Sequence, residues 1–102
     1  MNSAQTMQTI ASLKSLEPEL RAQGVSALYL FGSAARGEAR SDSDIDLSFE
    51  VAPGVRFSLF DQAQIMYELS EVLGAKVDFV PRRAIHTFIR ARVEAEQIKV
   101  FG

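Results

Sequence analysis

The sequence predicts an α/β fold in which helices flank a small β-sheet. Three observations predict it. Short apolar runs with aromatic residues recur, each closed by Gly or Pro. Between them lie segments whose apolar residues repeat every three or four positions. The two types alternate as helices, strand, short helix, strand, helix, strand, helix, an order that belongs to a layered α/β sandwich. With 102 residues the chain is expected to form one domain over 1–102.

The first helix is read from Met7, Ile10, Leu13 and Leu16, with Asn2 or Ser3 to cap it. Pro18 fits the first turn of a second, short helix over 17–23, which Gly24 stops. Ala27-Leu28-Tyr29-Leu30-Phe31 is expected to be a buried strand ended by Gly32. Gly32 to Gly37 is a turn into a short helix, and 38–43 is a polar loop. Over 44–51, polar and apolar residues alternate strictly, which marks a strand with one face to the core and one away from it. Pro53-Gly54 closes that strand.

Ser58 and Asp61 form a weak capping box for a third helix, with Leu59, Ala63, Met66 or Tyr67, Leu69 and Leu73 as its inner face. Gly74 ends it, and 76–80 is a short strand closed by Pro81. A last helix is expected from Arg82 or Ala84 to about Glu96, facing inward through Ile85, Phe88, Ile89 and Val93. The tail over 98–102 is apolar without obvious cover, as a partner-binding surface would be.

Composition narrows the function. Hydrophobic residues make up 47% and charged residues 24%, as in ordinary globular proteins. No apolar run approaches the roughly 20 residues of a membrane span. The N-terminus shows no basic segment followed by an apolar one, so no secretory signal is expected. There are 0 cysteines, which fits a cytoplasmic protein and excludes thiolate metal sites. A single His excludes a multi-His zinc centre. The net charge of −2 argues against a broad electrostatic grip on nucleic acid. Any metal must be held mainly by oxygen, as Mg²⁺, Mn²⁺ or Ca²⁺ are.

Asp44 and Asp46 lie two apart on a strand and so point to the same face. Two such carboxylates repel unless a cation lies between them. A sheet gains nothing from the pair, whereas Mg²⁺ uses one or two carboxylates with waters and substrate phosphates. Asp78 sits inside a short apolar strand, where a carboxylate needs a partner. If its strand neighbours 44–51, it completes the cluster. Gly32-Ser33, directly after a buried strand, is suited to holding a phosphate: glycine permits close approach, and the following turn offers backbone N–H groups. A P-loop is excluded because Glu38-Ala39 stands where Lys-Ser/Thr is required. An EF-hand starting at Asp42 is excluded by Leu47 and Pro53 at its sixth and twelfth positions.

Gly32-Ser33, Arg36-Gly37, Asp44-x-Asp46-Leu47 and Val77-Asp78-Phe79-Val80 together resemble the minimal nucleotidyltransferase family, a compact branch of the DNA polymerase β-like superfamily. The resemblance covers nearly the whole chain. It implies a nucleotidyltransferase fold with a small mixed sheet, and two Mg²⁺ ions on Asp44, Asp46 and Asp78. It also implies ATP held near Gly32 and Ser33, with Arg36 as a further nucleotide contact. Members often act as antitoxins beside a HEPN-domain toxin, and some transfer AMP to a tyrosine of that toxin. The expected function is therefore Mg²⁺-dependent AMP transfer to a hydroxyl of such a partner in a hetero-oligomer. The alternatives are an antitoxin that works by binding alone and a subunit of an antibiotic nucleotidyltransferase.

Other charged and aromatic residues have plainer readings. Arg36 either touches phosphate or pairs with Asp42 or Glu38, and Asp42 shapes the loop. Arg82, Arg83 and Lys76 either reach phosphate or stay solvated. His86 is a surface or packing residue, Tyr29 a core residue and Tyr67 an amphipathic surface residue.

Overall fold

The computed structural model describes residues 3–38 and 44–102. Helices α1 (Ser3–Ser15) and α2 (Glu17–Ala22) precede strand β1 (Val25–Phe31). A single-turn helix, α3 (Gly32–Ala35), leads towards β2 (Ile45–Val51). Helix α4 (Leu59–Leu73), β3 (Val77–Pro81), a 3-10 turn (Arg82–Ala84), α5 (Thr87–Glu96) and β4 (Ile98–Phe101) complete the order. Met1, Asn2 and residues 39–43, Asp42 among them and with them most of the expected polar loop, lie outside the described residues.

The four strands form one mixed sheet in the order β3-β2-β1-β4. β1 runs antiparallel to both β2 and β4, while β2 and β3 are parallel. A parallel pair needs a crossover, and α4 supplies it. Its start is fixed as expected: the Ser58 side chain accepts from the Asp61 backbone, and the Asp61 carboxylate accepts from the Ser58 backbone N–H. Its end is Gly74, at φ 64°, a left-handed cap that a side chain would strain.

One face of the sheet carries the core. Leu30 faces Leu47, Leu28 faces Phe49, and on the other side of β2 Ile45 faces Val77 and Leu47 faces Phe79. Leu13 of α1, Leu20 of α2, and Ile65 and Leu69 of α4 cover this surface. Phe49 and Phe79 stack with ring centroids 4.1 Å apart. Full burial of each such side chain contributes roughly 1.5–3 kcal/mol. The opposite face carries Tyr29, Asp46, Ser48, Glu50 and Asp78, and it is there that the chemistry gathers.

Several packing expectations are corrected. The inner face of α4 is Ile65 and Leu69, with Leu73 partly buried, whereas Leu59, Ala63, Met66 and Tyr67 are exposed. Apolar residues lie nearly all round α4, so sequence spacing alone left its rotation open. The Gln62 amide fixes it by donating to the Phe79 carbonyl at 2.9 Å. Of the residues expected to face inward from the last helix, Ile85, which lies before α5, and Val93 are buried, but Phe88 is 92% and Ile89 51% exposed. The cause is local. The 3-10 turn delays the helix until Thr87, and the His86 ring nitrogen caps it by accepting from the Phe88 N–H. The apolar tail is no free surface: it is β4, paired with β1, with Val100 and Phe101 buried. Tyr29 is half-buried on the face away from the core cluster, and Tyr67 is exposed as expected.

Candidate active site

The register of the parallel pair decides the site. Asp46 stands directly opposite Asp78, so both side chains leave the sheet on the same side. Asp44, two residues before Asp46, is half-buried beside them, and Asp78 is exposed. Asp46 carries the electrostatic signature. Its carboxyl is held above the ordinary aspartate range, first by burial, then by the charges of Asp78 and Asp44, with Arg36 opposing the shift. Three like charges on one patch are unfavourable in the free protein and are relieved by a cation.

The turn lies against the same carboxylate. Phe31, the last residue of β1, pairs with Asp46, and Gly32 follows it at φ 71°. A Cβ on Gly32 would strike Asp46 Oδ2, so only glycine lets the turn come this close. Helix α3 is pinned from beneath, where the Thr6 hydroxyl of α1 donates to the buried Ala34 carbonyl at 2.8 Å. Ser33 is half-buried at the start of that helix, and its carbonyl accepts from the Glu38 N–H at 2.9 Å, closing the turn.

Arg36 takes the ion-pair reading. Its Nε is 3.0 Å from Glu38, and its Nη1 is 2.9 Å from Glu96 at the end of α5. The Arg36 hydrogen bond, with a second from Arg92, holds the Glu96 carboxyl below its ordinary range against the effect of burial. Asp42, the other partner considered, lies outside the described residues. Lys76 reaches Asp44 at 3.8 Å, an exposed and weak pair. Arg82 is not solvated: it pairs with Glu50 and lies 4.3 Å over the Tyr29 ring. Thr6 and Glu96 give no signal in the sequence, because each acts on the turn from far along the chain.

Among the described residues, no group of three or more His, Cys, Asp or Glu side chains is placed so that it could hold a metal ion. The donor chemistry nevertheless fits a hard divalent cation: the patch offers oxygen ligands only, and a charged ligand there offsets the repulsion on Asp46. A turn open to phosphate beside a carboxylate patch is the arrangement that phosphoryl and nucleotidyl transfer use.

Comparison with known proteins gives the same class. The nucleotidyltransferase domain family matches residues 8–100, and the chain belongs to that family. The protein adenylyltransferase MntA of Thermococcus cleftensis is 35% identical over 99 residues, covering 93% of this chain and 96% of the relative. MJ0435 of Methanocaldococcus jannaschii, provisionally named a protein adenylyltransferase, is 40% identical over 83 residues, covering 81% and 87%. A solved structure provisionally described as a minimal nucleotidyltransferase superposes with a TM-score of 0.74 at 34% identity, covering 96% of this chain and 95% of that one. The fold is shared, at a TM-score of 0.67 and 20% identity, with a structure described as a tri-AMPylated Shewanella oneidensis HEPN toxin in complex with its MNT antitoxin, over 95% of this chain and 72% of that chain. Among the described residues, no helix is long and apolar enough to cross a membrane.

Proposed function

We propose that this chain is a Mg²⁺-dependent protein adenylyltransferase. It transfers AMP from ATP to a tyrosine hydroxyl of a partner HEPN toxin in the cytoplasm, and so acts as the antitoxin. The observation that carries this reading is the placement of Asp46 opposite Asp78, on the face that Gly32 approaches. The names of the relatives support AMP as the transferred group. The AMPylated toxin complex that shares the fold supports a HEPN toxin as acceptor.

Asp44 and Asp46 would hold two Mg²⁺ ions, with Asp78 joining on the acceptor side. Bound there, the ions would supply charge neutralisation for the phosphates and would lower the cost of deprotonating the acceptor hydroxyl. Gly32 and Ser33 receive the β- and γ-phosphates of ATP on the turn, which α1 holds through Thr6. Asp78, the most exposed of the three acids, faces the incoming acceptor and takes its proton. The acceptor oxygen attacks the α-phosphorus, the bond from the α-phosphorus to the bridging oxygen breaks, and pyrophosphate leaves along the turn. Arg36 acts on this site through the field it places on Asp46.

The test is to incubate the chain with its partner toxin, ATP and Mg²⁺, and to map the toxin by mass spectrometry. AMP on a tyrosine is expected, and its loss in the Asp44→Asn and Asp46→Asn variants. A tight, inactive complex with unmodified toxin would instead mean inhibition by covering alone.

A further inference from the structure

Helix α4 carries apolar side chains on two opposite sides, and only one side is covered. Ile65 and Leu69 enter the core. Phe60, Ala63 and Tyr67, spaced i, i+3, i+7, form a stripe on the other side, flanked by Leu59 and Met66. Phe60 is 87% exposed, Leu59 80% and Tyr67 65%. A helix that is apolar all round is normally buried all round. At these exposures the stripe presents on the order of 600 Å² of mostly apolar surface, the upper end of what a lone monomer shows. That is most of the roughly 800 Å² that each side of a standard interface buries.

We infer that this stripe pairs with the same stripe of a second copy of the chain, α4 against α4, antiparallel about a two-fold axis. Such an interface must be complementary to itself, because every contact occurs twice. The stripe meets that condition. With the axis between Ala63 and Gln64, Phe60 of one protomer stands opposite Tyr67 of its partner, and Tyr67 opposite Phe60. One aromatic pair then packs on each side of the axis. Ala63, the smallest residue of the stripe, sits at the crossing, where a large side chain would hold the two helices apart.

The charges at the two ends agree with this direction. Arg56 lies just before α4, and Glu71 lies in its last turn. Both are exposed, and neither makes a side-chain hydrogen bond or ion pair with a described residue. An antiparallel pair brings Arg56 of each protomer towards Glu71 of the other, whereas a parallel pair sets like charges side by side. The stripe also faces away from the three aspartates. Helix α4 covers the core side of the sheet, and Asp46 and Asp78 leave on the other. A partner whose hydroxyl must reach Asp78 approaches from that other side, so the dimer leaves the acidic patch open. The dimer stands independently of the adenylyltransferase reading.

The test is analytical ultracentrifugation of the full chain alone, without nucleotide or metal, over a series of protein concentrations reaching the high micromolar range. A species of twice the 11.3 kDa chain mass is expected. Phe60→Asp should weaken the dimer at least about tenfold. Its far-UV circular dichroism should not change, because the side chain lies outside the core. Arg56→Glu and Glu71→Arg should each weaken the dimer several-fold, and the double variant should recover it, since the swapped charges meet again across the axis. A monomer throughout the series overturns the proposal, and so does a dimer that Phe60→Asp leaves intact. A monomer whose Phe60→Asp variant no longer binds the HEPN toxin overturns it too, and assigns the stripe to that partner. A double variant weaker than either single one overturns the antiparallel arrangement.

Discussion

The two ends of β2 handle acidic side chains in opposite ways on one face of one sheet. At the start, Asp46 meets Asp78 and Asp44, and burial and repulsion raise its pKa. Four residues on, Glu50 meets Arg82, whose guanidinium is held against Tyr29 and approached by Glu94. The second end is neutralised by the chain itself, while the first is left for something the chain does not supply. An acid that its own protein leaves unpaired in a half-buried position marks a ligand site; an acid with its own arginine marks a brace.

The largest expected effect comes from discharging the first end. Asp46→Asn should reduce AMP transfer by about 10²–10³-fold or more, the scale of losing one group that stabilises charge in a transition state. The same substitution should raise the melting temperature of the metal-free protein, because it removes a buried, repelled charge. A calorimetric scan showing destabilisation instead would break the contrast between the two ends.

Gly32→Ala comes next. It forces a side chain into left-handed backbone and against Asp46 Oδ2. The backbone cost alone is about 1–2 kcal/mol, and steady-state kinetics should show at least about a tenfold loss in kcat/KM for ATP.

At the braced end the balance reverses. Arg82→Met should cost about 1 kcal/mol once solvent screening of the pair is allowed for, or about 4–8 °C in melting temperature. AMP transfer at a permissive temperature should hardly change.

The smallest effect sharpens the electrostatics. Asp46 has a raised pKa in the metal-free chain and must be ionised to take up metal, so at subsaturating Mg²⁺ activity should fall on acidification at a pH above the ordinary aspartate range. Metal-free stability runs the other way through Asp46, declining as pH rises through its raised pKa. Glu96, with a lowered pKa, contributes stability that is lost only as pH falls below the ordinary glutamate range. Arg36→Gln removes the one charge that lowers the Asp46 pKa, so the acid limb of the rate profile should move further up. An unmoved limb would mean that Arg36 acts on the turn by position only.

Much of this site is legible in the chain because it depends on local rules. Alternation over 44–51 places Asp44 and Asp46 on one side, and the box between Ser58 and Asp61 sets the start of α4. The neighbouring position of Asp78 follows from strand order, which local patterns suggest but do not fix. What escaped depends on rotation and distance. Phe88 and Ile89 lie at helical spacing, yet the 3-10 turn at Arg82–Ala84 changes the phase of α5 and turns them outward. Thr6 bonds a carbonyl 28 positions away, and Glu96 pairs with an arginine 60 positions away. Neither has a periodicity to betray it.

The sheet order also governs how the chain can be made. β4 pairs with β1, so the edge of that early strand stays uncovered until residues 98–101 have been synthesised. A product that stops before Ile98 keeps this edge open, with its N–H and C=O groups free to recruit a strand from another molecule. Variants whose chain stops just before Ile98 should therefore accumulate as aggregates rather than as soluble protein.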